Sequence, residues 1–334
     1  MTYDAILWLS FGGPEKEEDV IPFLENVLRG KNVPRERMLA VAEHYYHFGG
    51  RSPINQQNRE MIHALEAELN AHGPRLPLYW GNRNWRPLLT DTVAKMKADG
   101  VNRALAFATA AYSSYSSCRQ YLENIENARA AAGGGAPAID KIRPFYNHPL
   151  YIAAMAEQVK EAIAQIPAER RVAAHVVYTA HSIPMTMAEN CQYEQQLLEA
   201  SRLVSASLGR ADDPLVYQSR SGPPAQPWLG PDVLEHLRAI GASGQVKDVA
   251  IVPIGFVSDH IEVLYDLDTE ARQRCQELGM NMVRAAAVGA NRGFAHLVRE
   301  LIVERIDENS DRPSLGTLGA WPDACHTGCC LPRS

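Results

Sequence analysis

The sequence predicts an α/β protein of two similar doubly wound, Rossmann-like halves, each a parallel sheet flanked by helices, with a cleft between them. Three observations predict it. Short apolar runs alternate with longer stretches whose apolar residues recur at helical spacing, the pattern of parallel strands joined by helices. That alternation restarts near residues 146–152, so the chain reads as two rounds of one design. Four predicted strands end in glycine-rich or polar segments, and open α/β sheets place their chemistry past the carboxyl ends of strands.

In the first round AILWLS (5–10), LPLYWG (76–81), RALAFAT (103–109) and AIDKIRPF (138–145) read as strands, with helices over 16–29, 55–72, 86–99 and 115–132. In the second, RVAAHVVYTAHS (171–182), DPLVYQS (213–219), VKDVAIVPIGF (246–256) and MNMVRAA (280–286) are strands, and 150–166, 190–207, 231–240, 260–278 and 290–306 are helices. The predicted domains are 1–149, 150–307 and a linker with a cysteine-rich tail, 308–334. AAAGGGAP (130–137) is a flexible loop by composition, whereas RSGPPAQPWLGPD (220–232), with four prolines and a tryptophan, is a rigid one.

Composition narrows the function. The 334 residues are 46% hydrophobic and 22% charged, enough for a packed core. The formal net charge is −6 with signs interspersed, which argues against a nucleic-acid-binding face. No run approaches the ~18–20 apolar residues that span a bilayer. The opening MTYDAILWLSFGGP has no basic region, and Asp4 precedes a strand-like run, so no secretory signal is expected and the cytoplasm is the expected compartment. Six cysteines are too sparse for a disulfide scaffold.

Three motifs carry chemistry. SFGGP (10–14) permits close approach of a ligand to backbone, but it lacks both nucleotide fingerprints, so no nucleotide cofactor is expected. TAHSIPM (179–185) ends an apolar strand in His181, and a histidine held there exchanges protons near neutral pH; a purely structural histidine is the competing reading. In SDHIEVLYDLDTE (258–270), Glu262, Asp266 and Glu270 are spaced four apart. On an α-helix such a ladder turns slowly, by about 40° per step, and a π-bulge would align it better. Oxygen ligands in a file suit a hydrated divalent cation held loosely and passed along; a solvated acidic face is the alternative.

The pieces FGGPEKEEDVIPFLENV, HFGGRSPIN, AYSSYSSCRQY, TAHSIP, YQSRSGP with PWLGPD, and GFVSDHIEVLYDLD resemble the ferrochelatase family, in order and at family spacing, from about residue 4 to about 305. The resemblance implies two Rossmann-like halves around a porphyrin cleft, and Fe²⁺ as the metal inserted. It implies that His181 accepts pyrrole protons or holds the metal, that Glu262 faces it across the macrocycle, and that Asp266 and Glu270 relay metal or protons behind. A free porphyrin loses two N–H protons as the metal enters, and a cleft that binds a distorted ring best accelerates that step. No redox step is needed. Phe11 falls where many Gram-positive relatives have a tyrosine near the metal, and Asn84 where some place a metal-binding histidine. Arg29, Tyr45, Arg51, Ser52 and Tyr112, together with Phe11, are candidates for the porphyrin cleft rim, where basic and hydroxyl groups would hold propionates. The motifs look most like the actinobacterial branch, which implies coproporphyrin III as substrate, with protoporphyrin IX as the alternative. A cobalt or nickel chelatase and a non-catalytic tetrapyrrole carrier are the other readings. A chain with no anchoring helix is compatible with transient contact to a membrane or to a heme-pathway enzyme.

DACHTGCCLP (323–332) sets Cys325, Cys329 and Cys330 within six residues, a pattern that suits a soft metal or an iron–sulfur cluster. Some ferrochelatases carry a [2Fe–2S] cluster on tail cysteines plus one distant cysteine. Cys118 is the expected fourth ligand and Cys191 the alternative, while Cys275 reads as a helix-packing thiol. A disordered tail of reactive thiols, or zinc with His326 as a ligand, are the competing readings.

Overall fold

In the computed structural model, which describes residues 2–211, 213–222, 225–307, 309–325 and 328–331, the strands of the described residues form two four-stranded parallel sheets. The first contains β1 (Ala5–Ser10), β2 (Leu78–Asn82), β3 (Arg103–Ala108) and β4 (Ala138–Lys141), in the order β2-β1-β3-β4. The second contains β5 (His175–His181), β6 (Leu215–Gln218), β7 (Asp248–Val252) and β8 (Asn281–Arg284), in the order β6-β5-β7-β8. The second sheet repeats the first. In each, the chain leaves the first strand toward one edge and returns to its other side, so the crevices between β1 and β3 and between β5 and β7 are the points where strand order reverses. All six residues of β1 and all five of β7 are buried, as expected for inner strands covered on both faces.

The halves share a core. Ile6, Trp8, Leu105 and Phe107 of the first sheet belong to the same apolar cluster as Val176, Tyr178 and Val252 of the second. The helices Ile54–His72, Pro149–Ala164 and Phe294–Ile306 fill the layer between. Phe107 centres this layer, with ring centroids 4.8 Å from Trp8, 5.4 Å from Phe145 and 6.1 Å from Phe294. The outer face of each sheet carries its own cluster, around Leu7, Val93 and Ile125 in one half and Val177, Leu237 and Cys275 in the other. Cys275 is a packing thiol whose burial pushes its pKa up to about 11.

Two predicted elements change form. The predicted helix 115–132 begins as a π-helical turn, Tyr115–Arg119, before becoming α over Gln120–Ala132. The predicted strand 171–182 starts only at His175, because Ala168–Ala173 is a 3₁₀ turn. One helix, Arg35–His47, has no counterpart in the sequence reading. Its apolar stripe is narrow: Met38, Ala42 and Tyr45 are its buried residues, and they pack on Phe23 and Leu24 of the helix Glu17–Val27 and on Ile261.

The linker 309–323 folds back over the seam between the halves. Arg143 and Glu304 form a bidentate pair at 2.7 and 2.9 Å, with side chains 0% and 3% exposed. Arg312 of the linker joins Glu304 at 3.1 Å and Asp323 at 2.9 Å, and Arg305 also holds Asp323 at 2.9 Å. Asn147 donates to the Leu315 and Gly319 carbonyls, and Glu199 accepts from Thr317 and Leu318 N–H groups at 2.9 and 3.3 Å. A Cβ at Gly316, whose φ is +79°, would sit 2.5 Å from the Glu199 carboxyl carbon.

A buried ion pair loses far more when one partner is removed than the pair contributes over apolar residues. Glu304→Ala leaves the Arg143 guanidinium buried without its carboxylate, and should lower stability by about 3–5 kcal/mol in urea unfolding. Loss under 1 kcal/mol would show that the pair is not buried in solution.

Candidate active site

The site grows from the carboxyl ends of β5 and β7, the reversal point of the second sheet. β5 is buried through Ala180 and ends in the partly exposed His181. The His181 Nδ1 hydrogen-bonds to the Ser182 carbonyl, which only accepts. Nδ1 therefore carries a proton, and Nε2 is left to face Glu262. The loop is clamped from behind: Ser182 Oγ donates to the Leu229 carbonyl at 2.7 Å, Leu229 N–H to the Ile183 carbonyl at 3.0 Å and Met185 N–H to the Pro227 carbonyl at 3.0 Å. The loop 220–232 is held by these contacts at Pro227 and Leu229; Pro223 and Pro224 lie outside the described residues.

The chain leaving β7 passes close to β5. The Gly255 N–H donates to the Thr179 carbonyl at 3.1 Å, and a Cβ at Gly255 would lie 2.7 Å from the Ala180 Cβ. Glycine is required by this approach. The chain then caps a helix with His260, whose Nδ1 accepts from Val263 N–H at 3.4 Å, and runs through one α turn (Ile261–Val263) into a π-helix, Leu264–Ala271. The wider winding brings side chains four apart nearer to one line than an α-helix would. Arg284 braces this helix from β8, holding Asp268 at 3.0 Å and Asp259 at 2.9 Å, and Asp259 N–H donates to Gln57 of the first half at 2.8 Å.

The result is a pair and a file. Glu262 Oε2 stands 3.7 Å from His181 Nε2, with side chains 46% and 35% exposed. Behind them Asp266 accepts from Gln218 Nε2 at 3.2 Å and from the Ser219 hydroxyl. Burial pushes the Asp266 carboxyl up to about 7; the Glu262 and Glu270 charges add to the rise, and the two hydrogen bonds restrain it. Glu270 is exposed, its carboxyl raised by partial burial and by Asp232. Ser219 adopts φ +62°, a costly conformation for a non-glycine residue, and that conformation coincides with its hydroxyl meeting Asp266.

The expectation that Glu262 faces His181 across the macrocycle would need the two side chains to stand further apart than they do here. A flat ring between them would need about 7 Å, two van der Waals contacts of ~3.5 Å. At 3.7 Å there is no room for a ring between the two groups as they stand here.

Several candidates for the porphyrin rim lie elsewhere. Tyr112 is 2% exposed, its hydroxyl hydrogen-bonding to Tyr151 at 3.0 Å and donating to the Ile254 carbonyl at 3.1 Å deep in the core. Ser52 is 3% exposed and its Oγ accepts from Ile54 N–H at 3.4 Å. Tyr45 is buried against Phe23, its hydroxyl pushed up by burial and by the nearby Glu262 charge. A residue pattern cannot distinguish a polar group at a rim from one satisfied in a core. Phe11 lies edge-on to Phe23 at 6.3 Å, and Arg29 and Arg51 are exposed. Asn84 is partly buried: its N–H donates to the Phe11 carbonyl, while its Nδ2 finds no partner among the described residues.

The sequence reading missed the charges around Glu262. Lys31 is exposed; partial desolvation and Arg83 lower its pKa, and Glu262 raises it. His44 stacks on Tyr265 with centroids 3.6 Å apart and planes at 6°, and burial lowers its pKa. His260 is partly buried beside the pair, and desolvation lowers its pKa against the raising pull of Glu262. His44 lies on the unread helix, so no signal pointed to it; His260 sits inside a motif already noted.

At the far end of the chain the thiols meet. Cys118 lies beside Cys325 and Cys325 beside Cys329, while Cys329 Sγ is 3.5 Å from Cys330 Sγ. Cys325 and burial raise the Cys118 pKa, and Cys118 lowers that of Cys325. Cys191 donates to the Met187 carbonyl at 3.3 Å and also lies near Cys329 and Cys330. His326 lies outside the described residues. Among the described residues no three His, Cys, Asp or Glu side chains stand close enough together to hold one metal ion unaided, here or in the acidic file. Two surface hollows, about 350 Å³ beside Glu66 and Arg75 and about 100 Å³ beside Leu88 and Asn124, contain none of these groups. No helix among the described residues is long and apolar enough to cross a membrane.

Comparison with known proteins agrees with this arrangement. A ferrochelatase of Rhodopirellula baltica is 56% identical over 98% of this chain and 93% of its own. Coproporphyrin III ferrochelatases of Nocardia farcinica and Streptomyces coelicolor are 49% and 48% identical, covering 100% and 99% of this chain and 98% and 94% of theirs. Among solved structures, the chelatase SirB from Bacillus subtilis with Fe³⁺ superposes with a TM-score of 0.55 at 12% identity, over 91% of this chain and 98% of that one, a likeness of fold. The ferrochelatase family model matches residues 3–306, both sheets and both strand ends that carry the His181–Glu262 pair, and the chain belongs to the ferrochelatase family.

Proposed function

We propose that this chain inserts Fe²⁺ into coproporphyrin III to give Fe-coproporphyrin III in heme biosynthesis, in the cytoplasm, with His181 and Glu262 as the reacting pair. The observation that carries the reading is the 3.7 Å approach of the His181 Nε2 to a carboxylate at the reversal point of the sheet. The domains we propose are 1–149, 150–307 and the tail 308–334.

The chemistry requires that two pyrrole protons leave as Fe²⁺ enters. His181 Nε2 accepts a proton from the ring, and Glu262 beside it receives the charge. Asp266, with a pKa of about 7, takes up and releases protons at working pH, and Glu270 opens the file to solvent. The same oxygens pass the substrate metal inward, held too loosely to trap it. Arg29, Lys31 and Arg83 supply cations for propionates. Coproporphyrin carries four carboxylates and protoporphyrin two, and the curated relatives named above favour the former.

The tail thiols fit an iron–sulfur cluster by the chemistry of the donor set: Cys118, Cys325, Cys329 and Cys330 are linked by successive contacts, with no carboxylate among them. Bound there, a [2Fe–2S] cluster would supply a one-electron centre and a cross-link between tail and body. The protein's part is to bring the tail back, through Arg143, Glu304, Asn147 and Glu199.

His181→Ala and Glu262→Gln should each lower the rate of Fe²⁺ insertion by about 10²–10⁴-fold, with thermal unfolding unchanged. Coproporphyrin III should be turned over faster than protoporphyrin IX in a side-by-side assay; equal or reversed rates would remove the substrate assignment, and retention of activity by either variant would remove that residue's role.

Asp266 must be unprotonated to accept. The rate should therefore rise with pH through about 7, and Asp266→Asn should abolish that limb. Ser219→Ala removes a hydrogen bond that lowers the Asp266 pKa, so its limb should move to higher pH. A Ser219→Ala profile that superposes on the parent would contradict the relay.

For the tail, anaerobically purified protein should show a visible cluster spectrum that Cys118→Ser and Cys330→Ser abolish. A colourless, iron-free parent protein would remove the cluster.

A further inference from the structure

Five carboxylates fall within residues 259–270, and three of them form the file. The other two, Asp259 and Asp268, are both held by Arg284. Its Nη1 and Nη2 fork onto Asp259 at 2.9 and 3.3 Å, and its Nε meets both oxygens of Asp268 at 3.0 Å. The three side chains are 13%, 11% and 25% exposed, so these charge-assisted bonds are largely out of water. Arg284 is itself fixed by the sheet. It ends β8 opposite Ile251 of β7, and the next N–H, of Ala285, donates to the Ile251 carbonyl at 2.9 Å.

Asp259 precedes the helix cap His260, and Asp268 lies in the π-helix, so one guanidinium spans the stretch that carries Glu262 and Asp266. π winding is rare, and an unfavourable backbone persists only where its surroundings hold it. An i→i+5 helix puts more residues in each turn than an α-helix, so the same stretch is shorter. A change to α winding would lengthen it and draw one carboxylate off a guanidinium that the sheet does not let follow. It would also turn Asp266 by about 40° relative to Glu262, away from Gln218 and Ser219.

We infer that Arg284 is a positioning residue for metal insertion: by gripping Asp259 and Asp268 together it holds Leu264–Ala271 in π winding and keeps Asp266 in line behind Glu262. This rests on the reading of the acidic file given above. Arg284 bonds to Asp259, Asp268 and the Ala285 carbonyl, so it acts on the reaction through the helix. A lysine there offers one compact charge and no fork for two carboxylates.

The test compares the full chain with Arg284→Met, Arg284→Lys and Asp268→Asn. It reads steady-state Fe²⁺ insertion, coproporphyrin III binding by fluorescence quenching, and amide hydrogen exchange by mass spectrometry. Arg284→Met should lower kcat by about 10²-fold, the cost of a small misplacement, with porphyrin affinity at the parent's value. Its exchange should quicken over 259–271 and not in the other helices. Arg284→Lys should recover only part of the loss. Asp268→Asn leaves the fork on Asp259 in place, and should lower kcat by less and quicken exchange over 264–271. A folded Arg284→Met with the parent's kcat overturns the inference, and so does a loss accompanied by quickened exchange across the whole chain. If Arg284→Met does not fold, Asp268→Asn decides: the parent's kcat and exchange there overturn the inference, and a local change in both supports it. A parent that inserts no Fe²⁺ overturns the reading of the file; quickened exchange confined to 259–271 then still supports the grip of Arg284 on the π-helix, and unchanged exchange overturns it.

Discussion

The close passage of the chain leaving β7 over the end of β5 is the constraint on which the site depends. Gly255 touches Ala180, the residue before His181, and hydrogen-bonds to the Thr179 carbonyl. Any side chain there would push the following loop away from the sheet. The loop carries Asp259, His260 and Glu262, so its distance from β5 sets the distance between the imidazole and the carboxylate. Arg284 and Gln57 then hold the loop on its other side, the first from the second sheet and the second from the opposite half. A proton acceptor and its neighbour are useful only if held within a few tenths of an ångström, and rigid strand ends do that better than free loops.

The π-helix that follows makes a file of carboxylates out of residues four apart. It also explains why their environments differ. Glu262 lies at the half-exposed end beside His181, Asp266 is enclosed by Gln218 and Ser219, and Glu270 is in solvent. Three like groups on one element thus sit in three different environments, and burial most of all raises the middle one, Asp266.

The tail follows a different logic. It contributes little apolar surface and is held by charge and hydrogen bonds: Arg312 and Arg305 on Asp323, and Glu199 on the backbone of Thr317 and Leu318. Glu304 anchors this network from a helix of the second half and Arg143 from just beyond β4 of the first, so the tail registers how the two halves sit together. Its thiols end beside Cys118 for that reason.

The sequence by itself determined the class of fold and the two rounds of strands and helices, and it singled out His181 and the carboxylates four apart, whose pairing came only from the family resemblance. Those features are local: a period of apolar residues, a strand that stops at a histidine, carboxylates four apart. It also marked 258–270 for π winding from the spacing alone. It did not disclose the helix Arg35–His47, whose apolar stripe of Met38, Ala42 and Tyr45 is too thin to stand out until Phe23 and Ile261 cover it. It placed Tyr112 and Ser52 at a rim, and tertiary packing put both in the interior, where the Tyr112 hydroxyl finds its partner on a distant segment and the Ser52 hydroxyl bonds locally to Ile54. Only the folded chain decided that His181 and Glu262 stand 3.7 Å apart, because that depends on how closely two strand ends pass.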